Sequence, residues 1–315
     1  MGVSYTPRQH HKMAKRIIDR NFSRWIPNEK SSWVFQVFQK YNEELEKNLW
    51  SYQPVTKRIY KSLKTDSANW TDSVTKHFDF EEKRDDAFKD LKDWSNSFNH
   101  FDNWVNLNVI MSISANFETY FASIVSLALK SNPGVLLGAP KMIDGVSILK
   151  HGTSAKLDFD LQITSCTKGD WSSRSSAFEK IFGSTPDILK RKIAQLEQIR
   201  KLRNKVGHSF GRDIDQAREH VFKNIIPTET ISREKTYQFQ KLLWSTAKSI
   251  DVYLLENHIG TYQAISLYHV EYQKMRNDIH PSIRAIDFKK IVGRTGVQSA
   301  SKQFYKDLVS YYEAL

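Results

Sequence analysis

Three residues near the middle of the chain bring a fixed positive charge, an amide and an imidazole close together. Arg203 and Asn204 are followed, four positions after the asparagine, by His208. An arginine can hold a phosphate through its planar set of donors, and a histidine can exchange protons near neutral pH. The same residues could instead decorate the basic end of a surface helix, so the direction of the Arg203 side chain is informative.

Residues 186–207 have the apolar spacing of a helix, and the phase of that helix places Arg203 among apolar side chains. At about 100° per residue, one broad arc holds the apolar residues Ile188, Leu189, Ile193, Leu196, Ile199, Leu202 and Val206. Lys201 and Lys205 face the opposite side. A guanidinium directed at a core requires a partner or a cleft. The alternative is an arginine whose stem covers apolar surface while its charged end reaches water.

Glu118 is a candidate partner for Arg203. It is the one formal charge in residues 103–129, an otherwise apolar and neutral helical segment. A carboxylate there needs a cation, and a Glu118–Arg203 pair would fix the orientation of the guanidinium; an unrelated structural salt bridge is the alternative. Gly207 is predicted to end the helix, so that His208 projects from the same end as Arg203.

The composition limits the fold and the partners. A formal net charge of +12 makes a polyanion the first partner to consider, beside the plainer interpretation of a generally basic surface. The single cysteine, Cys166, excludes an intramolecular disulfide framework and a cysteine-rich zinc site. With 12 glycines and 8 prolines in 315 residues, a many-stranded β fold is disfavoured.

Neither a secretion signal nor a membrane span is predicted. The first 22 residues lack a continuous apolar core. Residues 103–129 contain four Asn, four Ser and one Thr, too polar a set for a helix in lipid. The sequence therefore predicts a cytoplasmic protein with a protein-buried helix at 103–129.

The remaining elements are predicted to be nearly all α-helical, in three regions. Residues 1–99 form a helical accessory region, with helical patterns at 6–22 and 78–101. Residues 100–258 form a bundle domain, and 259–315 a helical C-terminal extension with two helices. The central long helix ends at Asn132-Pro133-Gly134, a strong stop signal, and a later helix is capped by Ser232 and closed by Gly260. One short strand is predicted at 157–163, where apolar and polar residues alternate.

The motif Arg203-Asn204-x-x-x-His208 resembles the active motif of HEPN-domain ribonucleases. The order of segments around it is similar as well: a long apolar helix with "NFETYF" and "SNPG", an insertion, and "FEKIFG" leading into "IRKLRNKVGHSFG". The resemblance covers about residues 100–258. It looks most like the HEPN proteins of bacterial toxin–antitoxin, abortive-infection and phage-defence systems, which implies a toxin or defence effector with an antitoxin or another defence protein as partner.

The resemblance implies an antiparallel helical bundle that forms a homodimer with the two motifs in one shared cleft. It implies endonucleolytic cleavage of RNA without metal or other cofactor, in which a ribose 2′-hydroxyl attacks the adjacent phosphate. Arg203 would hold the phosphate with support from Glu118. His208 would transfer protons, and Asn204 would orient His208 or a phosphate oxygen through hydrogen bonds. Four basic residues would attract the RNA backbone regardless of sequence: Arg200, Lys201, Lys205 and Arg212.

Other functions are less well supported by the residues. A non-catalytic HEPN-fold subunit for RNA binding or dimerisation is the main alternative. "HGTSAKLDFDL" is faintly similar to a nucleotidyltransferase motif, but Thr153 and Asp158 are too close for its loop. A second Arg-His pair, Arg276 and His280, encloses only three residues and is interpreted as a helix end before Pro281. The histidines show no zinc-ligand spacing.

Overall fold

All regular secondary structure in the described part of the chain is helical. The computed structural model describes residues 22–80, 87–154, 157–212, 226–276, 279–296 and 300–315. Within these ranges the α-helices are α1 (Trp33–Thr65), α2 (Leu91–Ser131), α3 (Gly145–His151), α4 (Asp160–Thr167), α5 (Trp171–Phe182), α6 (Asp187–Arg191), α7 (Ile193–Ser209), α8 (Arg233–Leu254), α9 (Tyr262–Tyr272), α10 (Pro281–Arg294) and α11 (Lys302–Ala314). The prediction of an all-α fold is confirmed.

Side-chain caps set the first residues of the long helices. Ser32 accepts a hydrogen bond from the amide of Phe35 at the start of α1, and Ser232 accepts one from the amide of Lys235 at the start of α8. Each such cap satisfies an amide that the helix itself leaves unpaired, and is worth about 1 kcal/mol. The predicted start of α8 at Ser232 is confirmed, and a π-helical segment, Leu255–Ile259, carries its last turn to Gly260.

The central helix is α2, and α1 runs antiparallel to it. The Tyr60 hydroxyl near the end of α1 is 3.1 Å from the hydroxyl of Ser95 near the start of α2. At the other end, the ring of Phe35 packs edge-on against Tyr120. The helix α8 instead runs parallel to α2. The ion pair between Arg233 and Asp102 joins the first turn of α8 to the early part of α2, and further along both helices the Tyr120 hydroxyl donates to the carbonyl of Ala247.

One apolar core extends through all three predicted regions. It includes Phe38 of α1, Ile110 and Ile124 of α2, and Leu308 of α11, all buried. The predicted boundary at 99/100 falls inside α2, and that at 258/259 falls inside the π-helical segment. The helices outside residues 100–258 therefore help to hold α2 in place.

The predicted strand at 157–163 is wrong. Residues from Asp160 onward form α4, whose first amide donates to the carboxylate of Asp158 at 3.0 Å. Phe159 and Cys166 are buried whereas Leu161 is largely exposed, which is the spacing of a helix face rather than strict alternation. A strand also needs a neighbouring strand to satisfy its backbone, and the described residues contain none.

Three further expectations are corrected. The helical pattern predicted at 78–101 is in part the start of α2, which begins at Leu91 and continues without a break; residues 81–86 lie outside the described ranges. The described residues of the C-terminal region form three helices, α9 to α11, rather than two. His280 does not end a helix; its imidazole accepts a hydrogen bond from the amide of Ser282 and caps α10. The N-terminal helix predicted before residue 22 lies outside the described residues.

Candidate active site

Arg203 points from α7 into the protein. A turn at Lys192 separates α6 from α7, so the single helix predicted for 186–207 is two helices. Leu196 and Ile199 are the buried residues of α7, and Arg203 follows Ile199 by one helical turn. Its side chain is 32% exposed, far less than expected for an arginine on a solvated face. The inward direction predicted from helical phase is confirmed.

The predicted pair between Arg203 and Glu118 is present. Arg203 Nη2 donates to Glu118 Oε2 at 2.9 Å, across the contact between α7 and α2. Arg203 Nη1 donates to the side-chain oxygen of Asn204 at 3.1 Å. These two bonds hold the plane of the guanidinium. Because Glu118 is 24% exposed, the pair is half-buried and its outer side remains accessible.

One donor of Arg203 is left over. Its Nε atom is buried and has no hydrogen-bond partner, and the same is true of the nearby hydroxyl of Ser114 on α2. Both residues line a void of about 20 Å³, the size of one water molecule. The void has room for one water between these two polar groups, and such a bridge avoids the cost of about 1–3 kcal/mol for a buried donor without a partner.

Arg174 is a second cation at Glu118, and it was not predicted from the sequence. Its guanidinium lies 3.7 Å from Glu118 Oε1, donates through Nε to the carbonyl of Gly169, and stacks over the ring of Trp171. Burial lowers the pKa of Arg174, and the charge of Glu118 opposes that effect. The signal was available, because Trp171, Arg174 and Phe178 share the spacing of one helix face.

Arg200 completes a cluster of three arginines. It forms two hydrogen bonds to Glu197, of 2.9 and 2.6 Å, and Glu197 also accepts from the backbone amide of Trp171. The bonds from Arg200 lower the pKa of the Glu197 carboxyl, and the same bonds raise the pKa of Arg200. Arg174, Arg200 and Arg203 thus face two carboxylates, which leaves one net positive charge between α2, α5 and α7.

His208 lies on α7 but on another face. The prediction that Gly207 ends the helix is wrong. The helix α7 continues to Ser209, and the residues with left-handed backbone are Phe210 and Gly211. Gly207 instead permits close packing, since a Cβ atom there would lie 3.3 Å from Met111 Cε of α2. His208 is exposed and has no hydrogen bond within the described part of the chain.

Arg203 and His208 therefore do not converge within one chain. Five positions along a helix correspond to a rotation of about 140°. Asn204 lies between the two directions: it is one turn before His208 and accepts a hydrogen bond from Arg203. The structure brings together Arg203, Asn204 and Glu118, and it leaves the imidazole of His208 facing solvent.

The other predicted RNA-binding residues differ in their availability. Lys205 Nζ pairs with the carboxylate of Glu229 at 3.1 Å, and Arg212 Nε donates to the carbonyl of Ile226. Lys201 is exposed and has no ion pair among the described residues. Of the four predicted residues, Lys201 has the charge most free to meet a phosphate, whereas Arg200, Lys205 and Arg212 hold other parts of the chain.

The residues that the structure describes contain neither a metal-ligand cluster nor a membrane-spanning helix. No group of three or more His, Cys, Asp or Glu side chains close enough to hold a metal ion occurs in the described ranges. No helix in those ranges has both the length and the hydropathy that crossing a bilayer requires.

Comparison with protein-family models, curated proteins and solved structures gives no match for this chain. Its function must therefore be inferred from the site.

Proposed function

We propose that this protein is a cytoplasmic, metal-independent endoribonuclease of the HEPN type. The observation that carries the proposal is the half-buried Arg203, which Glu118 and Asn204 hold in place. It lies five positions before the exposed His208 on the same helix. An arginine fixed in this way, with its side chain still 32% exposed, is suited to bind a phosphate. The net charge of +12 favours a polyanionic substrate.

Arg203 serves to bind the phosphate to be cleaved. Its guanidinium stabilises the negative charge that develops on the nonbridging oxygens as the ribose 2′-oxygen attacks phosphorus. Glu118 keeps the guanidinium in place before RNA arrives, so that little reorganisation is needed during the reaction. Arg174, packed behind Glu118, stops that carboxylate from neutralising Arg203 completely.

His208 serves to transfer protons. An imidazole removes the proton from the 2′-hydroxyl as the O2′–P bond forms, and an imidazolium protonates the 5′-oxygen as the P–O5′ bond breaks. The products are a cyclic phosphate and a 5′-hydroxyl. One histidine cannot perform both steps at the same moment, and His208 diverges from Arg203 within its own chain. A second copy of the chain would supply the missing group in a shared cleft.

Exposed apolar residues near His208 support such a dimer. Phe210, two positions later, is 70% exposed. Phe101 and Trp104 on α2 are each about half exposed, and their rings stack at 5.7 Å. Gly211 packs against Leu107, one turn from Trp104, so both aromatic groups belong to the same part of the surface. Exposed apolar patches of this kind mark interaction sites.

The biological role follows from the resemblance rather than from the geometry. A toxin or anti-phage defence effector would need to be restrained until required, by an antitoxin or another defence protein. A ribonuclease that cleaves without a metal cannot be controlled by metal supply, which is consistent with restraint by a protein partner.

A second candidate function is a non-catalytic HEPN-fold subunit that binds RNA or dimerises. One observation favours it: Arg203 is already paired with Glu118, as an arginine with a purely structural role would be. In that case the protein would bind RNA without cutting it.

The ends of the RNA products test the proposal. Purified protein is incubated with total RNA in excess EDTA, and the fragments are analysed for their end groups. The proposed reaction yields 5′-hydroxyl ends, which accept phosphate from a polynucleotide kinase without prior dephosphorylation, and cyclic phosphates at the 3′ side. Fragments with 5′-phosphates, or cleavage abolished by EDTA, would contradict it. RNA that is bound and left intact would favour the second candidate.

The dimer is tested by the dependence of cleavage on protein concentration. If the site is shared, activity per chain rises as dilute protein associates, in step with the dimer fraction measured by sedimentation. Full activity from a protein that sediments as a monomer would refute the shared cleft, while leaving the ribonuclease assignment intact.

A further inference from the structure

A groove between α7 and the start of α8 has a volume of about 720 Å³. This is within the usual size range of ligand sites. Its floor is apolar and consists of Leu202, Ile231 and Phe239, while its walls carry Lys201, Lys205 and Lys235. An apolar floor with cationic walls matches a nucleotide, which has a flat base and a charged phosphate.

The charges in the groove are not fully neutralised. Two carboxylates line it, but each has its own cation: Glu229 pairs with Lys205, and Glu197 pairs with Arg200. Lys201 and Lys235 have no ion pair among the residues that the structure describes; Lys235 Nζ lies 4.8 Å from the ring centroid of Phe239. The groove therefore has two cationic side chains available for an anion.

The N-terminus of α8 adds little to this potential. Thr230 and Ser232, immediately before the first turn of this 22-residue helix, are part of the groove wall. The amides of a first helical turn attract negative charge, but here Ser232 already accepts from the amide of Lys235, and Glu234 places a carboxylate in that turn. The attraction for an anion therefore comes from Lys201 and Lys235.

The groove is aligned with His208. Seven positions separate Lys201 from His208, so the two side chains leave α7 within about 20° of each other and about 10 Å apart along the axis. Along the axis of α7, Lys205 lies between Lys201 and His208. A strand bound at His208 would therefore reach the groove with its next nucleotides, whereas Arg203 points to the other side of the helix.

We propose that this groove is a nucleotide subsite for single-stranded RNA beside the cleavage point. A base of the strand lies on the floor formed by Leu202, Ile231 and Phe239, and phosphates of the strand meet Lys201 and Lys235. The proposal rests on the proposed ribonuclease function for its biological meaning, but binding at the groove can be measured without cleavage. It gives the enzyme a contact with the nucleotides next to the scissile phosphate.

The test uses a short fluorescein-labelled single-stranded oligonucleotide with 2′-O-methyl groups, which can bind but cannot be cleaved by 2′-hydroxyl attack. Fluorescence anisotropy gives its Kd for the full chain. Lys201→Glu and Lys235→Glu should each weaken binding about tenfold, and replacing both by Ala should reduce the slope of log K against log salt by about 1.4. Lys241→Glu is the matched control, an exposed lysine on α8 outside the groove, with an expected change below about twofold.

The outcomes separate this proposal from the ribonuclease assignment. If the groove variants and Lys241→Glu bind alike while the wild type cleaves RNA, the groove proposal falls and the ribonuclease stands. If the wild type cleaves nothing but the groove variants lose oligonucleotide binding, the groove stands and the ribonuclease falls.

Photocrosslinking locates the bound strand directly. An oligonucleotide that carries 4-thiouridine should crosslink to peptides covering 194–205 and 229–239. Crosslinks confined to other peptides would overturn the proposal. So would equal competition by a glutamate-rich peptide at the same charge, because the groove would then be a site for acidic protein segments rather than for nucleotides.

Discussion

Arg24 and Arg203 each bind a carboxylate from another segment of the chain. They differ in how much of the guanidinium remains available for a ligand. Arg24 is buried, with its side chain 1% exposed. Its guanidinium donates to Asp144 at 3.0 Å, to the hydroxyl and the carbonyl of Ser131, and to the carbonyl of Ile259. All three nitrogens are used, and burial lowers the pKa of this group in spite of Asp144.

Arg203 has the same kind of partner but a different environment. It makes one bond to Glu118 and one to Asn204, and its side chain is 32% exposed, so that part of the guanidinium faces solvent. Arg24 therefore joins the segment before α1 to the end of α2 with every donor satisfied, as a structural residue should. Arg203 is oriented but not saturated. The difference indicates which of two similar ion pairs can still accept a ligand.

Replacing Arg24 should have the largest effect on stability. Arg24→Ala leaves Asp144 half-buried without a cation and the Ser131 carbonyl without a donor, so we expect a loss of about 3–5 kcal/mol in the free energy of unfolding. Urea denaturation followed by circular dichroism measures it. Arg203→Ala is the matched control and should cost about 1 kcal/mol, because that pair is partly solvated. Equal losses at the two sites would remove the distinction.

Replacing Arg203 should have the largest effect on turnover. Arg203→Lys keeps the charge but loses the planar set of donors that binds Glu118 and a phosphate together. We expect cleavage to fall about 10²–10³-fold, with the free energy of unfolding changed by less than about 1 kcal/mol. The rate is measured with a defined RNA in EDTA. Near-native turnover would show that a positive charge alone is sufficient at this position.

Asp251 provides the opposite case, a buried carboxylate whose hydrogen bonds come from Ser32 rather than from an arginine. Burial raises the pKa of Asp251 from 3.8 to about 6, although the bonds from Ser32 oppose this. The folded state therefore binds this proton more tightly than the unfolded state. Its contribution is complete below about pH 4 and is lost as the pH rises through about 6.

The predicted change for Asp251 is on the order of 3 kcal/mol across that window. Asp251→Asn should remove this part of the pH dependence, because an amide keeps the same shape without titrating. Parallel unfolding curves for wild type and variant between pH 4 and about pH 7 measure the difference. Identical pH profiles would show that Asp251 stays ionised in the folded protein.

The smallest effect is expected at Gly207. Gly207→Ala places a methyl group 3.3 Å from the flexible end of Met111, and alanine favours a helix interior, so we expect a change within about 1 kcal/mol. Gly211→Ala should destabilise by about 1–2 kcal/mol, because Gly211 has a φ of +78°. Thermal unfolding compares the two. The reverse order would mean that Gly207, not Gly211, ends α7.

Helical periodicity was sufficient to predict the inward half of the site. The position of Arg203 among Leu196 and Ile199, and the isolation of Glu118 in an apolar helix, predicted a pair that the structure contains. Both signals come from one helix at a time, which is why a sequence can carry them. The caps and stops, such as Ser232, are local for the same reason.

Other features that depend on contacts between helices were not predicted. The sequence predicts that Gly207 ends α7, whereas its role is to let α7 approach Met111 of α2. The spacing of Trp171, Arg174 and Phe178 indicates a helix face, but the contact of Arg174 with Glu118 follows only from the packing of α5 beside α2. The predicted strand at 157–163 failed because alternation says nothing about whether a partner strand exists. Local patterns are ambiguous wherever tertiary packing decides.

The most direct test of the central claim is the cleavage of RNA in EDTA by wild type, His208→Ala and His151→Ala. His151 is an exposed histidine at the end of α3, so its replacement controls for loss of a surface imidazole. We predict that wild type and His151→Ala cleave alike, and that His208→Ala loses at least about 100-fold in rate with an unchanged unfolding midpoint. Undiminished cleavage by a folded His208→Ala variant would contradict the assignment of this helix as a ribonuclease active site.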